Sequence, residues 1–525
     1  MPRSQSRALS LTALLVASFL INLETTAVNV ALPTLVRQLG STTTQLQWIV
    51  DAYALAFAAL LLTAGSLSDR FGRKGMLLAG LTVFGAASII GGFMTTSGSL
   101  IAARSVMGLG AAMTFPSTLS LIRNIFVDRV ERSRAIGLWG ATAGVSIAVG
   151  PIVGGWLLEH FSWSSIFYAM GPVAALGIIL VALTVPASRD TAAYSVDFLG
   201  LVLSSAAVAV AVYTIIDAPS QGWTSTRTLA GFAVTTAALA SFAVWERRVA
   251  QPMLDVRLFR NLRFTAASVS VTVAFFTLFG FIFLMTQYFQ FVRSYSPLET
   301  GVRLLPVALS VGVGSILGTQ IAVRVGTKLV VTTGLILIAG FYAWVAMTVS
   351  TSLSYPVIAG QMIAYGLGLG ITSAPATESI MGAVSARQAG IGSAVNDATR
   401  LLGGTLGVAI LGSVASSVYT AQLTDSLPPG LPNVATTTAS QSLGAALQVS
   451  QQLASAGQNA SAAALRTVST DAFIHSLSVG CYVAGGVAIA GALLAVLFLP
   501  AQPLVLEASQ PKSDLNQTDA LPAVA

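Results

Sequence analysis

The chain has few charged residues for its length, and this shortage excludes most classes of soluble protein. Only 9% of its 525 residues are charged, while 54% are hydrophobic and the mean hydropathy is +0.80. A soluble domain carries roughly 25% charged residues. The composition therefore predicts an all-α protein that is embedded in a membrane.

Three further residue types or motifs are scarce or missing. The single cysteine, Cys481, cannot form an internal disulfide. The two histidines, His160 and His475, stand alone without metal-ligand spacing, and no Gly-x-x-x-x-Gly-Lys phosphate-binding motif occurs. These absences argue against a membrane enzyme and against a pump driven directly by ATP. We expect no cofactor and no metal, and the formal charge of +7 is not distributed as a nucleic-acid partner would require.

Long apolar runs dominate the rest of the chain. Fourteen of them are long enough to cross a bilayer, from about Ala8–Leu32 to about Ala472–Leu499, and they fall into groups of six, two and six. The grouping predicts a six-helix bundle over residues 8–186, two inserted helices over 198–245 and a second six-helix bundle over 264–500. The second bundle would carry a long external loop over 419–471 with a helical portion from Ala439 to Leu465, and a disordered cytoplasmic tail would occupy 501–525.

The basic residues predict how these spans are oriented. If both termini lie in the cytoplasm, 19 of the 26 Lys and Arg residues fall in inner segments and five in outer ones. An excess of positive charge on the inner side is typical of inserted membrane proteins. The pattern therefore predicts a multi-pass protein of the cytoplasmic membrane with both ends inside.

A short polar loop recurs in the two halves. The stretch Gly65–Lys74, GSLSDRFGRK, separates the second and third spans, and Arg324-Val-Gly-Thr-Lys328 repeats part of it in the second half. Glycine permits the tight turn. The acid Asp69 beside the base Arg70, with Arg73 nearby, predicts a salt-bridged latch at the cytoplasmic mouth.

Three charged residues fall inside or at the ends of spans of the first half: Glu24, Asp51 and Arg104. At about 1.5 Å of rise per residue, they lie roughly 10, 6 and 8 Å below the outer surface. An intramembrane charge is costly unless it is neutralised, paired or facing a cavity, so such residues are functional candidates. Arg104 needs an acidic partner or a carbonyl, and the sequence leaves open whether Glu24, Asp51 or the backbone supplies it.

The fifth span carries a set of small residues and a proline. Gly140 and Gly144 are four residues apart, as are Gly150 and Gly154, and Pro151 lies between the second pair. This spacing permits close approach of another helix. We expect the flat face to seal against the second bundle or to give ordinary tight packing.

The second half has its own charged residues near the cytoplasmic end. Glu378 closes the twelfth span, and the i, i+3 spacing of Asp397 and Arg400 permits an intrahelical ion pair. A structural or inner-gate role is preferred over drug binding for these three. An amphiphile pocket could be lined by Trp48, Tyr53, Phe275, Phe276, Phe279, Gln287, Tyr288 and Gln290.

Several motifs, taken together and in order, resemble the major facilitator superfamily, in particular its fourteen-span drug:proton antiporters, the EmrB/QacA group. The loop Gly65–Lys74 resembles the family's loop between helices 2 and 3, and the fifth-span glycines resemble its antiporter motif. The stretch Leu23–Pro33 is similar to the helix 1 signature, with Glu24 where Asp is usual. The segment Arg104–Gly110 is similar to the helix 4 motif, with Met in place of Gln. The stretch Pro116–Phe126 resembles the LfrA-type efflux pumps.

The resemblance implies a function. It predicts a proton-coupled antiporter, acting as a monomer, that exports amphipathic, cationic drugs; the alternative is a dedicated exporter of one natural product. On this hypothesis Glu24, helped by Asp51, binds either a proton or a drug cation, and Arg104 stabilises the ionised acid. The family loop at Asp69 and Arg70 would hold the outward-facing state.

Overall fold

The computed structural model describes residues 3–189, 197–249, 252, 254, 256–384, 389–427 and 431–501. All the regular secondary structure of these described residues is helical. A 3₁₀ turn, Val256–Arg260, precedes α9, and a π-helical turn, Tyr288–Val292, extends it. The α-helices are α1 (Arg3–Leu39), α2 (Thr43–Phe71), α3 (Arg73–Gly92), α4 (Ser97–Ile125), α5 (Arg129–His160), α6 (Ser164–Thr184), α7 (Phe198–Gln221), α8 (Thr226–Arg248), α9 (Leu262–Gln287), α10 (Pro297–Arg303), α11 (Leu305–Val325), α12 (Thr327–Thr348), α13 (Tyr355–Gly382), α14 (Ala389–Ser426), α15 (Asn433–Ala439), α16 (Leu443–Ser455) and α17 (Asn459–Phe498).

The predicted number of spans is confirmed. Within the described residues, fourteen helical segments are long and apolar enough to cross a membrane, α10 and α11 together forming one of them. Large apolar side chains stand on the outside of the bundle, among them Leu183 at 79% and Met347 at 71% exposure. Such exposure suits contact with lipid and would be unfavourable in water.

Helix ends show why the polar loop recurs. Gly72 joins α2 to α3 with φ +115°, and Gly326 joins α11 to α12 with φ +91°. A side chain is rarely tolerated at such backbone angles. The two halves therefore use glycine for the same turn, between their second and third spans.

Helix pairing in one half is repeated in the other. In the first half α1 packs on α5, α2 and α3 on α4, and α3 on α6. In the second half α9 packs on α14, α11 and α12 on α13, and α12 on α17. This repetition gives two six-helix bundles. The exact boundaries, 8–186 and 264–500, stay a prediction.

The inserted helices α7 and α8 pack on each other, and α7 also contacts α2 and α14. A small apolar cluster joins them to the second bundle: Val212, Ile215 and Ile216 of α7 pack with Ala409 of α14. Trp48 of α2 lies 6.2 Å from the ring of Tyr213, measured between centroids. The insert therefore covers the seam between the bundles on one side, and Trp48 packs against it.

We call the end of the bundle that carries the α1–α2 turn the outer end and the end with Gly72 and Gly326 the inner end, as in the predicted orientation. The two bundles are hydrogen-bonded at the outer end. Gln47 Nε2 of α2 donates to Ala409 O of α14 at 2.9 Å, and Gln290 Nε2 donates to Val30 O of α1 at 2.9 Å. Gly155 of α5 faces the backbone of α10. The bundles are thus closed on the outer side.

The region predicted as the external loop, 419–471, is mostly helical in the structure. Helix α14 continues to Ser426, α15 and α16 follow, and α17 already begins at Asn459. Gln448 of α16 donates to Arg37 O of α1 at 3.0 Å. Alanine-rich sequence with few charges suits helix wherever packing is available. The predicted tail lies outside the described residues apart from Ala501.

Candidate functional site

Glu24 and Arg104 form an ion pair between α1 and α4 in the interior of the first bundle. The side chains of Glu24 and Arg104 are 0% and 1% exposed, and Arg104 Nη1 contacts Glu24 Oε1. Arg104 Nε donates to Ile49 O of α2 at 2.7 Å. The structure therefore gives Arg104 both kinds of partner that the sequence left open, an acid and a backbone carbonyl.

The same guanidinium lies over an aromatic ring. Its Cζ atom is 4.7 Å from the ring centroid of Tyr53, whose hydroxyl donates to Ile21 O at 3.1 Å. Cation–π contacts of this kind are favourable, more so when water is excluded. Arg104 thus ties α1, α2 and α4 together at one depth.

Asp51 is as buried as Glu24 but forms no ion pair among the described residues. Its side chain is 1% exposed, yet neither carboxylate oxygen has a hydrogen-bond partner among the described residues. It lines a cavity of about 20 Å³, room for about one water molecule. This Asp51 cavity is lined from the first bundle by Thr25, Val50, Asp51, Tyr53, Ala54 and Arg104 and from the second by Phe279, Leu401 and Gly404. The carboxylate therefore faces the seam between the bundles.

Glycines bring the helices of this site close together. A Cβ on Gly108 of α4 would overlap the backbone of α2 at Tyr53 and Phe57. A Cβ on Gly150 or Gly154 of α5 would overlap α1 between Leu23 and Ala27, beside Glu24. Small residues are needed where helix backbones touch. The motif glycines of α4 and α5 thus set the spacing around the ion pair.

The predicted α5 face divides into two parts. Gly150 and Gly154 pack on α1, within the same bundle. Gly140 and Gly144, nearer the inner end, face open space, because a Cβ on either would meet no described atom within 4 Å. Pro151 contacts the second bundle, since its carbonyl lies against Gly301 of α10. Of the two alternatives that the sequence left open, ordinary tight packing describes Gly150 and Gly154, whereas Pro151 makes the contact with the second bundle.

The latch at the inner end has a different partner from the one that adjacency suggested. Asp69 Oδ1 accepts from Arg73 Nε at 2.7 Å, whereas the Arg70 guanidinium lies 5.6 Å from the ring centroid of Phe71. Asp69 and Arg70 are successive residues of α2, so their side chains point in different directions. The turn at Gly72 instead brings Arg73, the first residue of α3, to the acid. Lys74 Nζ donates to Ala182 O of α6 at 2.8 Å.

The second-half charges are separated. Glu378 is exposed at the inner end of α13. Among the described residues no ion pair within 4 Å joins Asp397 to Arg400; instead Arg400 Nη2 donates to Thr377 Oγ1 at 3.2 Å. The Arg400 Cζ atom lies 5.1 Å from the ring centroid of Phe275. The predicted intrahelical pair is not formed in this conformation.

Two glutamines take part in the outer closure. The sequence did not mark Gln47 as a candidate, and it assigned Gln290 to a different site. Gln47 is fully buried. Besides its bond to Ala409 O, its Nε2 atom lies 3.2 Å from both Val408 O and Ser413 Oγ. Gln290 stands in the π-helical turn, whereas the sequence suggested a place in a drug pocket. A glutamine at the start of an apolar run was a signal for Gln47, but nothing in the sequence marks the π-helical turn.

Residues 14–408 match the family model described as Major Facilitator Superfamily. The chain belongs to the major facilitator superfamily. Membership of this superfamily and the helical fold point to a transporter and not to an enzyme. The match covers the first bundle, the insert and most of the second bundle, including every residue of the ion pair and the Asp51 cavity.

Relatives extend the match along most of the chain. The multidrug efflux pump LfrA of Mycolicibacterium smegmatis is 34% identical over 455 residues, which is 86% of this chain and 90% of that protein. The methylenomycin A resistance protein of Streptomyces coelicolor is 36% identical over 79% of this chain and 87% of that protein.

A solved structure supports the fold alone. The bacterial homologue of the human lysosomal transporter Spinster, in an inward-facing and unoccupied conformation, superposes with a TM-score of 0.67 at 16% identity. The match covers 95% of this chain and 98% of that one. The present chain and the Spinster homologue therefore share one fold over almost their whole lengths.

Proposed function

We propose that this transporter exports amphipathic, cationic drugs across the cytoplasmic membrane in exchange for protons. The observation that carries the proposal is Asp51, a buried carboxylate that lines the seam between the bundles and has no hydrogen-bond partner among the described residues. Two relatives in the same superfamily are named a multidrug efflux pump and an antibiotic resistance protein. A carboxylate at the seam can take up a proton or attract a cation.

Electrostatics assigns different tasks to the two acids. Glu24 already has a positive partner in Arg104, so the pair is neutral as a whole and can stay ionised. Asp51 has no such partner in the described part of the chain, and an unpaired charge inside a membrane costs several kcal/mol. In this conformation Asp51 therefore carries a proton, and it becomes a cation site once that proton has left. Asp51, and not Glu24, is therefore the carboxylate that exchanges the proton for the drug.

Exchange follows from this competition. A proton leaves Asp51 toward the cytoplasm, the drug cation replaces it, and the loaded carrier then opens outward. Protonation from the outside displaces the drug, and the neutral carboxyl group permits the return. Because the cavity of about 20 Å³ holds no drug, the bundles must separate around Asp51 before the drug binds. A bare carboxylate resists closure of the bundles, which keeps the two fluxes coupled.

The inner-end residues Asp69, Arg70 and Arg73 would act on the conformational equilibrium. Here Asp69 is paired with Arg73 inside the first bundle, and a Cβ at Gly140 or Gly144, in the inner half of α5, would meet no described atom within 4 Å. We propose that these charges contact the second bundle when the inner end closes. A contact made in one state only shifts the equilibrium by its full free energy.

The proposal is tested in inverted membrane vesicles with an imposed pH gradient. The wild-type protein should accumulate ethidium, a fluorescent aromatic cation, only when the gradient is present. Collapse of the gradient should stop accumulation and should also reverse it. Accumulation that ignores the gradient in vesicles with correctly inserted protein contradicts proton coupling.

A dedicated exporter of one natural product is the second candidate. It is favoured by the methylenomycin A resistance protein, whose name refers to a single antibiotic and which is 36% identical to this chain. The small closed cavity suits either function, because both require the bundles to separate. Competition for ethidium transport by many unrelated cations supports a multidrug exporter, and competition by one compound alone supports the dedicated one.

A further inference from the structure

We propose that Arg400 forms a second subsite, which binds the carboxylate of a zwitterionic aromatic drug whose cationic group binds at Asp51. The inference rests on the proposed function and adds a substrate class to it. It makes Arg400 a binding residue for the drug, where the sequence favoured a structural or gating role.

Arg400 has no direct ion-pair partner within 4 Å among the described residues, although the Asp397 carboxylate lies close enough to act on its charge. The residue lies 11 positions into α14, about 16 Å from the inner end of that helix. Its Nε atom is buried and has no hydrogen-bond partner among the described residues, and its contact with Thr377 is to a neutral hydroxyl. Asp397, one turn nearer the inner end, stays beyond 4 Å. Asp397 therefore leaves the Nε atom of the guanidinium unbonded, and a directly bound anion would stabilise an arginine at this depth.

Two phenylalanine rings connect this charge with the Asp51 cavity. Phe275 and Phe279 lie on one face of α9, with ring centroids 6.4 Å apart and an angle of 28° between the rings. Arg400 lies against Phe275, while Phe279 lines the Asp51 cavity. Both rings are half-buried. The Asp51 cavity, the two rings and the guanidinium therefore lie next to one another in that order.

Glycines of α14 hold this aromatic floor in place. A Cβ on Gly404 would approach Phe279 to 2.9 Å, and Cβ atoms on Gly403 and Gly407 would overlap the backbone of α9. The close packing presses Phe275 and Phe279 against α14 on the side of Arg400. An aromatic ligand can stack on such a floor, because offset and edge-on aromatic contacts are favourable.

The chemistry of the two ends identifies the ligand class. Asp51 attracts a cation, and a guanidinium binds a carboxylate through charge-assisted hydrogen bonds. A flat aromatic compound with a cationic group at one end and a carboxylate at the other satisfies both ends. Its esters lack the anion and make only the contacts at Asp51 and on the rings.

The test compares two dyes that share one ring system: a rhodamine methyl ester, which is a cation, and its free acid, which is a zwitterion at neutral pH. Binding to the purified full-length protein is measured by fluorescence polarisation. In Arg400→Gln we expect the acid to lose about tenfold more affinity than the ester. Arg400→Lys keeps the charge and loses the planar fork, so the acid should be weakened by only about threefold relative to the ester. Arg466→Gln, at an exposed position on α17, is the matched control.

Each other outcome overturns the inference. Equal loss of affinity for both dyes in the Arg400 variants shows a structural role, and unchanged affinity for both dyes shows no role in binding. If Arg400→Gln does not fold, the ratio in Arg400→Lys decides alone. A wild-type protein that binds the ester and not the acid overturns the inference while the proposed function stands. Failure to bind either dye counts against the proposed function as well.

Discussion

Glu24 and Asp51 are two acids of one bundle whose carboxylates have opposite environments. Glu24 is held by Arg104, which also bonds to the carbonyl of Ile49. Asp51, only two residues beyond Ile49, has no hydrogen-bond partner among the described residues and faces the second bundle across a water-sized cavity. The comparison teaches that burial alone does not identify a coupling residue. What differs is whether the charge is already compensated inside the protein.

The largest effect is expected from Asp51→Asn. This change makes the side chain permanently neutral and nearly preserves its shape, so folding and insertion should continue. Gradient-driven accumulation of ethidium should fall to the level of vesicles that lack the protein, because proton and drug no longer share a site. Normal ethidium accumulation by Asp51→Asn would show that Asp51 is not the exchanging carboxylate. Glu24, Glu378 or Asp397 would then have to take that role.

The second effect is on stability. Glu24→Gln leaves the Arg104 charge buried without its acid, which typically costs about 3–5 kcal/mol. The variant should still insert, with a clearly lower melting temperature in detergent than wild type. Glu24→Asp keeps the charge and serves as the control, with a smaller loss. A Glu24→Gln protein as stable as wild type would mean that the ion pair does not position α1, α2 and α4.

The third effect concerns the outer closure. Gln47→Leu removes the hydrogen bonds to α14, each worth about 1 kcal/mol. The outward-open population should rise by about tenfold. A cysteine at Thr25 in the Asp51 cavity, in a Cys481→Ala background, should then react faster with a membrane-impermeant thiol reagent from outside.

The control for this experiment is Gln361→Leu. Gln361 is also buried, but it donates to Thr348 within the second bundle. Its loss should not change labelling from outside. Equal labelling of the Gln47→Leu and Gln361→Leu proteins would show that Gln47 does not hold the bundles together.

The smallest effect is expected at the inner end. Asp69→Asn removes a partly exposed ion pair with Arg73, so stability should change by less than about 1 kcal/mol. Transport should fall about threefold, since even a small bias shifts a two-state equilibrium. Arg70→Gln is the comparison, because Arg70 does not pair with Asp69 here. Transport at the wild-type level in Asp69→Asn would exclude a gating role for this acid.

Much of the fold could be predicted from the sequence, because membrane spans are marked by long apolar runs. The turns at Gly72 and Gly326 were predictable for a similar reason, since few residues other than glycine fit them. Helix α16 lies inside the helical portion expected at Ala439–Leu465, but its ends and the helix α15 were harder, because a polar, uncharged segment becomes helical only through its contacts, here those of α16 with α1 and α17.

The site was predictable in its residue types and not in its pairings. Glu24, Asp51 and Arg104 stand out because charges are rare inside spans. Nothing in their spacing shows that Arg104 selects Glu24, because the choice depends on how α4 is placed by Gly108 against α2. The same holds for Arg400, whose neighbours Thr377 and Phe275 come from other helices.

Proton release on drug binding tests the central claim most directly. Purified protein in weakly buffered detergent is mixed with ethidium near neutral pH, and released protons are measured with a pH-indicator dye. The wild-type protein and Glu24→Gln should both release protons as the drug binds, whereas Asp51→Asn should release none. Proton release that persists in Asp51→Asn and disappears in Glu24→Gln would contradict the assignment of exchange to Asp51.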